Sequence, residues 1–511
     1  MGFQTLFTNG GMLTLLTATT TFAWIVPQHR PMCSPSRFKS STSHSVAAST
    51  IDESTYDSLP SPIGKSPLAL SLDDLTTILD GKGRALTCWD CFRMGVDPVW
   101  LYEKSDDDGD DIEPHTNLLG KGWTRDSILQ NMFTSHSRQG QTLGRPGRDR
   151  LKDYFGRYSG SALAPPSQTF SIESHVAQLS KVTVSSDGTT KLLLRLQHDG
   201  LEVETVIIPF QDRQSSTLCV SSQIGCAQAC QFCATGKMGE IRSLSADEIL
   251  AQVYWSRKAC RILSSSASTG EDPSSPISPE ASTRSPLYPV DNIVFMGMGE
   301  PAANVDAVVR ASNMMIGKPA GFQFAPRRVA ISTVAPTPES FATLASQTSV
   351  VLAWSVHSSK DSVRRMLVPT TRHSMKEFVD GLIFALNQRP SRKLRQIMLE
   401  VTLLKDINDS TDDAHHLAQT VCRPLQESVD GLRLVVNLIP WNDIGATFGP
   451  ASKFQQSPAS RVVDYQRVLV SGEYSGILTY IRTTRGDDDH AACGMLATKT
   501  KKESKNPKKT P

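Results

Sequence analysis

Ile224-Gly225-Cys226-Ala227-Gln228-Ala229-Cys230-Gln231-Phe232-Cys233 puts three thiols on one short loop, in a CxxxCxxC run with an aromatic directly before the last cysteine. Three thiolates hold three irons of a [4Fe-4S] cluster and leave the fourth iron open to a ligand. An aromatic beside the last cysteine completes the pattern in which that iron chelates S-adenosylmethionine, whose sulfonium one electron then cleaves. A structural zinc site would want a fourth ligand and normally CxxC pairs. A disulfide framework is a poor reading of a 511-residue chain with ten scattered cysteines. Cys88 and Cys91 form a CxxC with no second pair nearby, so no zinc site is assigned to them.

Around the loop, apolar and β-branched runs recur at 218–220, 293–296, 329–332, 350–355, 397–404, 432–439 and 477–481. Helical spacing separates most of them, over 305–316, 338–348, 375–387, 412–422 and 461–471. The first helix after the cysteines opens on Ser245-Ala246-Asp247-Glu248, a capping box, and continues with Ile249, Leu250, Val253 and Tyr254 on one face. Repeated βα units imply an α/β fold with a parallel sheet. Here they predict a partial (β/α)6 barrel whose ligands gather at the carboxyl ends of the strands. The cysteine loop follows the first strand, Gly297-Met298-Gly299-Glu300-Pro301 the second, Ser332-Thr333 the third and Ser355-Val356-His357 the fourth, while Asn437 lies within the sixth. Upstream, Asp187-Gly188 and Asp199-Gly200 interrupt alternating runs and predict a small β-meander over 180–212.

The predicted organisation is a presequence over 1–62, an N-terminal accessory helical region for RNA docking over 66–160, the meander, a core over 213–490, and a disordered basic tail over 497–511. The Ser, Pro and Thr-rich stretch 264–289 reads as a disordered insertion in the core, and the acidic run 106–111 as a solvated loop. An apolar run from Met12 to Val26 precedes a stretch rich in Ser, Thr, Arg and Lys with no acidic residue before Asp52, and the Phe22-Ala23 junction is similar to the cleavage region of a bipartite plastid presequence. Plastid import is the first expectation and mitochondrial import the second, with no stable membrane association of the mature chain.

Lysine plus arginine number 53 against 51 aspartate plus glutamate, so bulk charge reveals no nucleic-acid partner. Arg138, Arg145, Arg148, Arg150, Lys152 and Arg157 lie close to Tyr154, Phe155 and Tyr158. That stretch reads either as a site for phosphate contact and base stacking or as a solvated basic loop.

TLCVSSQIGCAQACQFCATGKMG (217–239), FMGMGEPAANVD (295–306), SVHS (355–358), VVNLIPWN (435–442) and TRGDDDHAACGML (484–496) together resemble the RlmN/Cfr family of radical SAM RNA methyltransferases, over about Val182 to Leu496. The stretch from Leu68 to Phe133 departs from that family's usual accessory domain. Pro440-Trp441-Asn442 and the Thr484-Arg485-Gly486-Asp487-Asp488 approach to Cys493 look closer to its RlmN-like, adenine-C2 branch.

Adenine C2 is too electron-poor to attack a sulfonium directly, whereas a thiolate is a good nucleophile. The resemblance implies that Cys493 carries the methyl group as S-methylcysteine. A second S-adenosylmethionine then supplies a 5'-deoxyadenosyl radical that activates this methyl for addition to C2, two molecules being used per turnover. Glu204 is implied as the base that removes the C2 proton, and Cys219 as the thiol that releases product through a Cys219–Cys493 disulfide. Cys226, Cys230 and Cys233 are the implied cluster ligands. Gly299, Glu300, Ser332, Ser355, Val356, His357 and Asn437 are the implied S-adenosylmethionine contacts, with the two glycines of 297–299 expected to let backbone approach ligand closely. The implied partners are large-subunit rRNA, also tRNA, and an electron donor such as flavodoxin or ferredoxin; the expected state is a monomer. A C8-methylating enzyme of the same chemistry, or a non-catalytic iron-sulfur RNA-binding protein on the same scaffold, are the alternatives.

Overall fold

The computed structural model describes residues 66–102, 113, 119, 123–133, 142–157, 171–265, 287–446, 449–474, 476–483, 485–486 and 496. The presequence, the acidic run, most of the 264–289 insertion, the basic tail and Cys493 lie outside them.

The runs rich in β-branched residues form one sheet of ten strands: β1 (Ala177–Val184), β2 (Thr190–Leu196), β3 (Glu202–Phe210), β4 (Ser215–Cys219), β7 (Val290–Phe295), β8 (Val329–Thr333), β9 (Val351–Ser355), β10 (Gln396–Leu403), β11 (Arg433–Pro440) and β12 (Leu478–Ile481). They lie side by side in that order, and the described sheet does not close. β5 (Gln223–Cys226) and β6 (Gly239–Ser243) form a separate two-stranded ribbon that frames the cysteine loop.

β1 to β4 are antiparallel. The Asp-Gly turns work as expected: Asp187 and Asp199 accept from the backbone two residues on, and Gly188 and Gly200 take positive φ. From β4 onward every neighbouring pair is parallel. All five residues of β8 are buried, as a strand covered on both faces requires.

Helices return the chain between parallel strands. Ser245 and Glu248 exchange hydrogen bonds, Ser245 N to Glu248 Oε2 at 2.9 Å and Glu248 N to Ser245 Oγ at 3.2 Å, which fixes the start of helix Ala246–Ser265. The helix buries Ile249, Leu250, Val253, Tyr254 and Trp255. Capping boxes at Ser374–Glu377 and Ser410–Asp413 start two further outer helices. The second runs into a five-residue π segment, Ala418–Cys422, before helix Arg423–Ser428, so the expected helix over 412–422 is longer and locally widened.

Helix Lys82–Met94 of the N-terminal region is held against helix Ala246–Ser265. Gly95 allows the close approach: a Cβ there would stand 2.5 Å from the Lys258 nitrogen. Buried Lys258 pairs with Glu113 at 3.2 Å and with Glu173, and Arg261 pairs with Glu113 at 2.8 Å. Cys88 and Cys91 are buried in that helix as free thiols.

Arg145, Arg148, Arg150, Lys152 and Arg157 of the basic stretch fall on helix Gly144–Arg157, while Arg138 and Tyr158 lie outside the described residues. Arg150 donates to Asp80 at 3.1 Å, Arg145 pairs with Asp149 at 3.7 Å, and Arg148 donates to the Tyr102 carbonyl. Phe155 is fully buried and Tyr154 packs on the core, so neither ring is the open stacking platform the nucleic-acid reading needs. No helix among the described residues is long and apolar enough to cross a membrane.

Candidate active site

A cavity opens at the carboxyl end of the parallel strands. Cys226, Cys230 and Cys233 line it together with Gly299, Glu300, Ser332, Ser355 and His357, so most of the expected site residues come together.

The cysteine loop is fastened over this end of the sheet. Trp441, just past β11, donates from Nε1 to the Phe232 carbonyl at 2.9 Å, and Gln231 N donates to the Leu367 carbonyl at 2.9 Å. Cys230, Phe232, Val334, Leu367, Leu404 and Trp441 form one buried cluster. Burial pushes the Cys226 thiol up to about 12 and the Cys230 thiol well above its ordinary value. A buried thiol held protonated by its surroundings ionises when a cation takes the proton's place, which is the behaviour of a metal ligand. Among the described residues no His, Cys, Asp or Glu trio is gathered tightly enough for a single metal ion. Three thiolates that each take a different iron of one cubane need not be.

The two glycines of the 297–299 turn make room for another part of the protein. A Cβ at Gly297 would meet Ser221 Oγ at 2.6 Å, and one at Gly299, where φ is +102°, would meet the Gln223 nitrogen at 2.6 Å. The segment Ser221–Gln223 docks in the space they leave: Ser222 N donates to the Met298 carbonyl at 2.8 Å, Met298 N to Ser221 Oγ at 2.9 Å and Glu300 N to Gln223 Oε1 at 2.8 Å. Both glycines also line the cavity, so close packing against the protein accompanies their position beside the site.

Glu300 is buried and already accepts from Thr333 Oγ1 at 2.5 Å, Ala302 N at 2.9 Å and Val334 N at 2.9 Å. It braces the turn as well as lining the cavity, and burial raises its pKa. Ser332 and Ser355 place their hydroxyls 3.1 Å apart.

His357 takes a positive φ of 53°, and its ring stands edge-on to Phe232 with centroids 4.5 Å apart. Its Nδ1 accepts from Thr402 N at 3.3 Å, which leaves the proton on Nε2. Burial, with Arg364 nearby, lowers its pKa to about 3, so it is a neutral donor.

Val356 and Asn437 do not line the cavity. Val356 is buried and gives its carbonyl to Arg364, and Asn437 donates from Nδ2 to Glu400 Oε1 at 2.7 Å. Cys219 faces the sheet interior, beside Met296 and over Val294, Ala330 and Val351. Glu204 lies on β3 with Lys191 Nζ 3.2 Å from its carboxylate, so it belongs to the meander rather than to the cavity wall.

Two residues of the site went unread in the sequence. Arg364, buried, donates to the carbonyls of Ser355, Val356 and Val334. Glu400 sits in the cavity wall on β10. For Glu400 the signal was a charged residue inside the apolar run of 397–404; Arg364, in Asp361-Ser362-Val363-Arg364-Arg365, carried none.

The donor set therefore fits a [4Fe-4S] cluster with one open iron. The polar groups beside it, with the neutral His357 donor, fit an adenosyl ligand.

An open parallel sheet of this kind, with a three-thiolate loop closed over its carboxyl end, is the fold of a radical SAM methyltransferase. The crystal structure of a radical SAM methyltransferase from Sphaerobacter thermophilus is similar at 27% identity, over 84% of this chain and 99% of that one, with a TM-score of 0.55. A domain of pyruvate-formate lyase-activating enzyme from Bacteroides vulgatus ATCC 8482 matches at 12% identity over 38% of this chain and 99% of that one; its TM-score of 0.28 carries no argument. No family model matches the chain.

Proposed function

We propose that this protein is a radical SAM methyltransferase that methylates C2 of an adenine in RNA, large-subunit rRNA first and tRNA second, with Cys493 as methyl carrier. Radical SAM methylation in general is supported by the likeness to the Sphaerobacter enzyme; the adenine and its C2 rest on the motifs of 217–239 and 484–496.

The observation that supports the reading is the placement of Gly486 and Leu496, the described residues that flank Cys493 in the sequence. Upstream, Gly486 N donates to Asp187 Oδ2 at 3.2 Å, on the meander turn. Downstream, Leu496 lines the cavity and accepts from Thr235 Oγ1 at 2.5 Å, two residues from Cys233. Three residues span at most about 11 Å. A role for Cys493 at this cavity is thus compatible with Leu496, three residues on in the sequence, standing in the cavity wall.

Cys226, Cys230 and Cys233 would hold the cluster, which supplies one-electron cleavage of a sulfonium when bound. His357 offers a donor from Nε2 to the adenosyl ligand. Cys219, on the interior face of the sheet, is the thiol that releases product from Cys493 by thiol exchange. Glu204 is the base for the C2 proton, with Lys191 Nζ 3.2 Å from its carboxylate. A flavodoxin or ferredoxin type donor supplies the electron, in a plastid.

The test is anaerobic reconstitution with S-adenosylmethionine and RNA, followed by nucleoside mass spectrometry. The reading expects 2-methyladenosine, and a Cys219→Ala variant that accumulates protein crosslinked to RNA. 8-Methyladenosine, or no methylated adenosine, would overturn it.

A further inference from the structure

Across the interior of the parallel sheet runs a belt of polar side chains at one level. Ser332 and Ser355 touch at 3.1 Å. Glu400 stands beside Ser355 on one neighbouring strand and beside Asn437 on the other, in register with both, and accepts from Asn437 Nδ2 at 2.7 Å. Parallel neighbours in register present their side chains to the same face, so these groups all lie on the cavity side of the sheet.

Glu400 is the only acid in β10, with Leu399 and Val401 either side buried against the core. It is 2% exposed and lines the cavity. Asn437 occupies Oε1, while Oε2 is buried and receives no hydrogen bond among the described residues. Arg482 Nη1 lies 3.8 Å from Oε2, beyond hydrogen-bond distance, where it contributes charge without satisfying a lone pair. A buried carboxylate oxygen without a donor is costly unless a ligand supplies one.

The height of the belt selects which part of the ligand this is. Thr402 and His357 meet at the rim, under Phe232 of the cysteine loop. Glu400 lies two residues deeper along β10, roughly 7 Å at the rise of a strand. An adenosyl ligand whose amino and carboxylate groups are taken at the cluster places its sugar below the rim. A vicinal diol facing serine hydroxyls, an amide and a carboxylate finds acceptors for both its protons.

We propose that Glu400 binds the ribose of the adenosyl ligand, Oε2 accepting a hydrogen bond from a ribose hydroxyl while Asn437 fixes the carboxylate through Oε1. The assignment rests on this cavity being the S-adenosylmethionine site and is independent of which RNA atom is methylated.

The test is ligand binding to the reconstituted full-length protein, not turnover. S-adenosylhomocysteine carries the same ribose without the sulfonium, and its 2'-deoxy and 3'-deoxy analogues each lack one hydroxyl. A hydrogen bond to a charged acceptor is worth about 1.5–3 kcal/mol. Wild-type protein should therefore prefer S-adenosylhomocysteine over at least one deoxy analogue by about tenfold to a hundredfold. In Glu400→Ala the two should bind within about threefold of each other. Glu400→Gln keeps the side chain's size and the bond from Asn437, so it provides a folded variant, in which the preference should fall at least about threefold.

A carboxylate that only supports the wall would weaken all three ligands alike and leave the wild-type ratio intact in both variants, which overturns the assignment. So would a wild-type protein indifferent to both hydroxyls. Failure to bind S-adenosylhomocysteine at all would overturn the reading of the cavity and the assignment with it. Normal binding with no methylated RNA would count against the RNA reading alone.

Discussion

Arg364 Nη1 donates to the Val356 carbonyl at 2.5 Å, tying helix Asp361–Leu367 to the turn that carries His357. The same nitrogen reaches the Ser355 carbonyl at 3.0 Å, and Nη2 reaches the Val334 carbonyl at 2.5 Å. One buried guanidinium thus sets the spacing of the turns after β8 and β9, which form one wall of the cavity.

Replacing Arg364 with methionine keeps volume and strands three buried carbonyls. Each orphaned acceptor costs about 1–3 kcal/mol, partly offset because a buried charge is no longer desolvated. The expected net loss is about 2–5 kcal/mol in chemical denaturation. Lysine, a point donor, cannot span the same carbonyls and should recover less than half of it. Wild-type stability in Arg364→Met would contradict the clamp.

Gly299→Ala tests the docking of Ser221–Gln223 on the 297–299 turn. The positive φ and a Cβ 2.6 Å from backbone leave no relaxed arrangement. Strain and overpacking each cost about 1–3 kcal/mol. The loss should appear as a lower thermal midpoint in protein without cluster, because the contact is within the protein. A midpoint unchanged without cluster would mean that the glycine serves a ligand after all.

Asp247 accepts from Ser66 N at 2.9 Å and from the Ser66 hydroxyl, joining the N-terminal region to helix Ala246–Ser265. Burial pushes its pKa up to about 7, opposed by those two hydrogen bonds. The folded state keeps a proton that the unfolded chain releases near pH 4. This contribution to stability is full below about pH 4 and is lost as pH rises through about 7. Asp247→Asn removes it, so its stability relative to wild type should rise by on the order of 2–4 kcal/mol between pH 4 and pH 7. A pH-independent difference in denaturation midpoints would refute the shift.

Trp441→Phe keeps an aromatic over the cysteine loop and leaves the Phe232 carbonyl without its donor. About 1–3 kcal/mol of loop stability should go. The reconstituted variant should then lose its visible iron-sulfur absorption faster in air than wild type. An equal rate would show that the loop does not depend on this bond.

The parallel sheet was legible because buried parallel strands need continuous apolar, β-branched runs, and 329–332 and 397–404 are such runs. The meander was legible from Asp187-Gly188 and Asp199-Gly200, since few other pairs accept those dihedrals. The glycines of 297 and 299 were visible, but their purpose was not, because what fills the space beside a glycine is a tertiary fact. Glu400 escaped for a related reason, since a single charge in an apolar run looks the same whether it faces a ligand or lies at a sheet edge, and Arg364 escaped because beside Lys360, Asp361 and Arg365 it looks like any solvated helix charge. Phe155, read with the basic residues around it, turned out to be core, because it shares with Leu151 the face that this helix buries.

The central claim is that one iron of a cluster held by Cys226, Cys230 and Cys233 is left open for an adenosyl sulfonium. The most direct measurement is the electron paramagnetic resonance spectrum of anaerobically reconstituted, reduced protein, recorded with and without S-adenosylmethionine. The account predicts a [4Fe-4S]+ signal that S-adenosylmethionine shifts and that Cys230→Ala abolishes. A cluster signal indifferent to the sulfonium, or one that survives loss of Cys230, would contradict it.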